Sequence, residues 1–273
     1  MVARKRYTKK TKRRSKRRSI ARYKKLGGAS EERTYVFIIP YRARGTQTER
    51  RGQLEVGINS IRDCFTANKK PYKIFIVEQD NEHPFNMGIL KNIGFLESEK
   101  LYKTPRIYLH FNADYSIDTT MPFPTELEEF DGNGVLNIYA IGVFIGGCCA
   151  FSPETYEKIN GYMNTMFGWG GDDRVFTNRI EGTGLPNITN GLLNNGWIKV
   201  EDTTDRNMTH NVPNAEMSSK NDGQDGLKTC KYVINSPGEF DDNTNNIHHL
   251  LADFEFSNNC SYNRNGKAEA PNS

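Results

Sequence analysis

The chain of 273 residues (31.1 kDa) is 36% hydrophobic, 11% aromatic and 26% charged, with a mean hydropathy of −0.71. That length can bury one large core or two small ones, and the aromatic share excludes wholesale disorder. The longest apolar run, Ile138 to Phe151, has 14 residues and three glycines, too few to span a bilayer. No basic leader, apolar stretch and cleavage site open the chain, so neither a secretory signal nor a membrane anchor is expected. The net charge of +4 conceals an asymmetry, because 14 of the 37 basic residues fall between Met1 and Leu26, ahead of the first acid, Glu31. The remaining 23 basic residues face 33 acidic ones, a net of −10. Five cysteines, with Cys148 and Cys149 adjacent, argue against a disulfide framework and for a reducing, cytoplasmic setting.

In chain order, residues 1–30 make a basic tail that cannot bury an apolar face and is expected to be disordered. Residues 1–25 suit contact with a polyanion; the plainer alternative is a solubilising arm without a specific partner. A folded domain is expected over 31–256 and a flexible end over 257–273. Tyr35-Val-Phe-Ile-Ile-Pro40 reads as a buried strand stopped by proline. From Thr46 to Thr66 the spacing of Leu54, Ile58, Ile61 and Phe65 predicts a helix. Tyr72 to Val77 gives a second strand, and Phe85 to Leu96 a helix with Ile89, Leu90, Ile93 and Leu96 on one face. Ile107 to Phe111 gives a third strand, running into Asn112-Ala-Asp114. Strand and helix in alternation predict an α/β domain with a mainly parallel sheet, whose ligands sit beyond the carboxyl ends of the strands. Pro40 to Arg44, Glu78 to Asp80 and Asn112 to Asp114 all fall at those ends. Further on, Ser152 reads as a helix N-cap with Pro153 at the first helical position, and Phe167 to Asp173 as a glycine-rich loop entering a helix.

Four features suggest chemistry, each with a plainer alternative. Asp114 at a strand end can bind a hard cation such as Mg²⁺ or Mn²⁺, or simply close a turn. In Phe167-Gly-Trp-Gly-Gly-Asp-Asp173, glycines permit close approach to a ligand, Trp169 can stack on a sugar or base, and Asp172 and Asp173 meet a helix N-terminus. A carboxylate there can accept a hydroxyl proton, or serve only as the acidic first turn of an ordinary helix. Arg42 and Arg44 can pair with a diphosphate, or be solvated surface residues. His210, two residues after Met208, is either structural or a metal ligand.

At these residues the chain resembles the β-1,4-galactosyltransferase family of inverting GT-A glycosyltransferases, nearest the branch that adds galactose to xylose on proteoglycan cores. The likeness runs from about Tyr35 to Val233. Val36 to Arg44 resembles the family's opening strand, and Phe85 to Phe95 its FNRAxLxNxGF segment. Asn112-Ala-Asp114 stands at its Asp-x-Asp metal motif, and Gly146-Gly147 with Ser152 to Gly161 at its glycine pair and the helix ending in Asn-Gly. Phe167 to Asp173 is similar to WGWGxED, and Asp225 to Tyr232 resembles GLNTxxY.

The resemblance implies a GT-A fold, a Rossmann-like mixed sheet flanked by helices, and a metal-dependent transfer from a UDP-sugar to a saccharide hydroxyl. Asp173 would be the general base. Asp114, His210 and Met208 would hold Mn²⁺, with Mg²⁺ as the alternative. Pro40, Tyr41, Arg42, Arg44, Phe85, Asn112, Phe144, Gly146, Gly147, Trp169, Gly170, Gly171 and Asp172 would bind donor or acceptor. Galactose is the expected sugar, and a glycan or glycoprotein the acceptor. Departures are Asn112 for an Asp, Met87 for an Arg, Asp172 for a Glu, and Phe144 for the Tyr that helps select the sugar. A cytoplasmic enzyme of a large virus would suit the composition. A degenerate sugar- or nucleotide-binding member, and a polyanion-binding protein led by its tail, are the alternatives.

Overall fold

The computed structural model describes residues 33–43, 47–102, 106–140, 142–168, 170–189, 192–200, 223–238, 240 and 246–254. The expected basic tail, Arg44, Trp169, Met208, His210 and the expected flexible end lie outside the described residues. The helices are α1 (Gln47–Ala67), α2 (Met87–Leu101), α3 (Thr125–Glu129), α4 (Pro153–Lys158) and α5 (Asp172–Gly182). The strands are β1 (Thr34–Tyr41), β2 (Tyr72–Gln79), β3 (Arg106–His110), β4 (Tyr115–Ile117), β5 (Val135–Tyr139), β6 (Cys148–Phe151), β7 (Asn187–Thr189), β8 (Ile198–Val200), β9 (Val233–Pro237) and β10 (Ile247–Asp253). Among the described residues no helix is long and apolar enough to cross a membrane.

β1 is buried on both faces, which is why it reads as an unbroken apolar run. Tyr35, Phe37 and Ile39 pack with Leu54, Ile58, Ile61 and Phe65 of α1. Val36 and Ile38, pointing the other way, pack with Ile89, Leu90 and Ile93 of α2. Gly94 lets α2 press onto the sheet, since a Cβ there would lie 2.6 Å from Ile38 Cγ2. Both helices therefore bury the faces that their apolar spacing marked.

The main sheet runs β7-β5-β6-β3-β1-β2-β10-β9, with β4 and β8 forming a separate pair. The centre is parallel, β3, β1, β2 and β10 lying side by side in one direction. The flanks each bring in a reversed strand: β6 runs antiparallel to β3 and to β5, and β9 antiparallel to β10, while β7 pairs parallel with β5 at the outer edge. The mixed sheet flanked by helices matches the expected GT-A architecture, and the mainly parallel sheet inferred from element order holds for the centre and for the β5–β7 pair, with β6 and β9 as the antiparallel strands. Apolar pattern marks a strand's buried face and not its direction, which is set by pairing with partners distant in sequence.

Ser152 caps α4 as expected, its Oγ accepting from Thr155 N at 3.2 Å, with Pro153 at the first position. A polar knot then anchors α5. Arg179, buried in α5, donates to the carbonyls of Asn160 (3.1 Å), Gly161 (2.8 Å) and Asp225. The Asp225 carboxylate accepts from Asn164 N at 2.9 Å and from Thr165 N and Oγ1 at 3.1 and 2.9 Å. Asn92 of α2 closes the knot, accepting from Tyr156 Oη at 2.8 Å and donating to Tyr162 O at 2.8 Å.

Candidate active site

The carboxyl end of β3 and the amino end of β6 form one edge. β6 runs antiparallel to β3, with Cys149 opposite His110, so Gly146 and Gly147, just before β6, stand beside residues just after β3. There Asn112 to Asp114 make a tight turn closed by Tyr115 N donating to Asn112 O at 3.1 Å. α5 begins at the same edge. Its N-cap, Gly171, has φ +90° and follows Gly170 at φ +99°, left-handed backbone that L side chains adopt at a cost. This turn delivers Asp172 and Asp173 into the first turn of the helix.

Asp173 rests against Gly146. A Cβ on Gly146 would fall 1.7 Å from Asp173 Oδ1 and 2.1 Å from Cγ, so only glycine leaves room for the carboxylate. Thr177 fixes this contact, donating to Asp173 O at 2.8 Å while its Oγ1 accepts from Ile145 N at 2.8 Å. Asp173 Oδ1 is buried and has no hydrogen-bond partner among the described residues. Burial, then the neighbouring Asp172 charge, push the Asp173 carboxyl up to about 7, while Lys91 acts to lower it. Asp172 is also raised, by burial, and Lys91 again opposes the shift. Gly147 has its own steric reason: a Cβ there would lie 2.7 Å from Tyr139 O and 2.9 Å from Tyr115 Oη. The Tyr115 hydroxyl, raised chiefly by burial, feels both Asp114 and Asp173. Asp173 thus meets Gly146 at this edge, and Gly147 packs on Tyr115, the residue after Asp114 and the one that feels both carboxylates.

The other expected residues are distributed along the neighbouring strand ends. Pro40 and Tyr41 are buried at the end of β1. Arg42 is spent partly on the backbone, donating to Asn81 O at 2.7 Å and to His83 O. Phe85 O accepts from Gly168 N at 2.7 Å, tethering the glycine loop to the segment before α2. Phe144 is exposed, as is its neighbour Val143. The sheet-end acids serve the fold: Glu78 Oε2 lies 2.9 Å from His249 Nε2, and Asp80 Oδ2 accepts from Asn235 at 2.7 Å.

Among the described residues no group of three or more His, Cys, Asp or Glu side chains gathers to hold a metal. The turn after β3 nonetheless fits a hard cation in its donors. Asn112 Oδ1 is buried without a hydrogen-bond partner among the described residues, in the same tight turn as Asp114. Two hard oxygen donors suit Mn²⁺ or Mg²⁺.

Several residues of the site's framework carry no sequence signal of their own. Lys91 is wholly buried, although a lysine within a helical pattern reads as solvated. Gln79 braces the loop before α2, donating to His83 O at 2.9 Å and accepting from Asn86 N at 2.9 Å. Thr177 could be found only by noticing that a residue four after Asp173 shares its helix face.

Two family models match the chain: the N-terminal region of glycosyl transferase group 7 over residues 3–114, and the N-terminal domain of galactosyltransferase over residues 138–188. β-1,4-galactosyltransferase 7 of Homo sapiens is 26% identical over 210 residues, covering 73% of this chain and 61% of that protein. β-1,4-galactosyltransferase 2 of Cricetulus griseus is 27% identical over 217 residues, 74% of this chain and 55% of the relative. The chain therefore spans about three fifths of the length of such relatives. The Drosophila β-1,4-galactosyltransferase 7, solved with manganese, UDP-galactose and xylobiose, superposes with a TM-score of 0.64 at 21% identity, covering 81% of this chain and 93% of that one. Matching models on both sides of the sheet edge, and a shared fold over most of the chain, relate this protein to the β-1,4-galactosyltransferase family of GT-A-fold glycosyltransferases.

Proposed function

We propose that the protein is a metal-dependent, inverting glycosyltransferase that moves a sugar, galactose by preference, from a UDP-sugar to a saccharide hydroxyl. The observation that carries this is Asp173: a carboxylate seated on Gly146 at a helix N-terminus, one oxygen free of partners among the described residues, at the same edge as Asp114. Asp173 takes the proton of the acceptor hydroxyl as that oxygen attacks the anomeric carbon from the face opposite the departing UDP, inverting the centre. Burial and the Asp172 charge raise the Asp173 carboxyl above the ordinary carboxylate range, which makes it a stronger base toward a hydroxyl proton. Asp172 binds sugar hydroxyls, and Trp169 on the glycine loop covers the donor and excludes water. Pro40 and Tyr41 line the uracil side, with Arg42, Arg44 and Phe85 toward the diphosphate. Asp114, His210 and Met208 would hold Mn²⁺, which when bound supplies Lewis-acid stabilisation of the negative charge on the leaving diphosphate. The catalytic domain spans 31–256 on this reading.

The test is release of UDP from a panel of UDP-sugars with and without Mn²⁺, in the wild type and in Asp173→Asn. Slow Mn²⁺-dependent release from one sugar, accelerated by a saccharide acceptor and lost in the variant with UDP affinity retained, is the expected result. UDP binding without release from any sugar would favour a degenerate binder, whose specific support is Asn112 in place of an acid. Absence of UDP binding would sink both readings.

A further inference from the structure

Lys91 stands out among the buried groups. It lies in α2, fully buried, and forms no ion pair among the described residues. Its ammonium donates to Gly146 O at 2.9 Å and to Tyr162 Oη at 3.4 Å, and sits 4.6 Å from the Tyr162 ring centre. An unpaired charge taken wholly out of water is strongly unfavourable, so its retention at this position asks for a compensating role. The compensation lies across the glycine. Gly146 presents its carbonyl to Lys91 and its Cα to the Asp173 carboxylate. The groups that share a field with Asp173 are Asp172 on its own helix, Tyr162 in the loop after α4, Tyr115 at the start of β4, Cys149 on β6, and Lys91. Within that set Lys91 is the cation; every other member is an acid or a weak acid. Arg174, next along α5, is exposed.

We propose that Lys91 is a positioning residue for Asp173: from behind Gly146 it supplies the fixed countercharge that keeps the Asp173 carboxylate ionised and seated beside a second carboxylate. This rests on the transferase reading for its purpose but not for its test. Without the ammonium, two neighbouring carboxylates in a poorly solvated corner would hold a shared proton more tightly, and the base would be withdrawn from use at neutral pH. The arrangement also assigns Gly146 two duties at once, space for the carboxylate on one side and an acceptor for the lysine on the other.

The experiment uses the full chain, with Lys91→Met removing the charge at similar length and Lys91→Gln removing it while keeping a donor for Gly146 O. Lys91→Arg keeps the charge. Carbon-13 carboxyl labelling of aspartate, with Asp173→Asn identifying the resonance, reads the Asp173 titration directly. The midpoint should move up by about one pH unit or more in both uncharged variants and stay near the wild-type value in Lys91→Arg. The acid limb of the transfer-rate profile should move by the same amount, with rate recovering at high pH. A folded uncharged variant with an unmoved midpoint overturns the proposal. Failure of both uncharged variants to fold also overturns it, by making Lys91 a structural residue. A moved midpoint in a protein that releases UDP from no sugar would sink the transferase reading and leave the Lys91 assignment standing.

Discussion

At the scale of single residues, Asp173 shows a carboxylate held against the interest of stability. Its carboxyl is raised from 3.8 to about 7 in the folded chain, so the folded state binds the proton more tightly than the unfolded state does. Stability from this group is present at acid pH and is lost as pH rises from about 4 through 7. Asp173→Asn, which cannot ionise, should therefore match the wild type near pH 4 and exceed it at pH 8 by on the order of 2–4 kcal/mol. Thermal melts of both proteins across that range check this, and a constant difference at all pH values would show that Asp173 is not strained. Gly146→Ala makes the complementary prediction. A methyl 1.7 Å from Asp173 Oδ1 must displace the carboxylate, lowering transfer by about 10²-fold or more while UDP affinity changes little. A kcat and Kd measurement on one variant separates the two effects. Neither residue's role could be seen from spacing. The resemblance marked both positions, and the reason for the glycine appears only once α5 and β6 are brought together. Lys91 was invisible for the opposite reason: its residue type argues for solvent, and only the fold buries it.

At the scale of elements, the parts legible in the sequence are those whose signal is local. β1 and β2 are continuous apolar runs because both faces are covered, and α1 and α2 follow the 3.6-residue spacing of their buried faces. β5, β6 and β7 are too short to show a period, and their pairing depends on partners far along the chain. The knot around Asp225 is of the same non-local kind. Gly226, at φ +154°, passes so close to Asn160 that a Cβ would lie 1.9 Å from its carbonyl oxygen. The Asp225 carboxylate satisfies donors in the 164–165 turn and from Thr229 Oγ1, 3.1 Å away. Asp225→Ala would leave two buried-side backbone donors unpaired and loosen the seat of Arg179, costing about 2–4 kcal/mol. Urea unfolding of the variant measures this directly. A loss below about 0.5 kcal/mol would show that the 164–165 turn holds its shape without the carboxylate.

At the scale of the whole molecule, charge is divided as sharply as chemistry. Fourteen basic residues precede Leu26, and the remainder carries a net of −10. Every residue proposed for the site lies in that acidic remainder. On the transferase reading, UDP-sugar binding and proton transfer to Asp173 would be short-range and involve few ions, whereas a basic arm of this density would bind polyanions through release of many counterions. The two activities should therefore separate on deletion of residues 1–25. Mn²⁺-dependent UDP release should stay within about two-fold of the full chain, because ΔΔG‡ of that size is under about 0.5 kcal/mol. Retention on heparin should collapse, and the steep salt dependence of the full chain's binding to nucleic acid should flatten. The two measurements together place function in the domain or in the tail. Deletion that abolished UDP release while nucleic-acid binding persisted in the remainder would reverse the assignment, making the acidic domain the polyanion partner against its own charge.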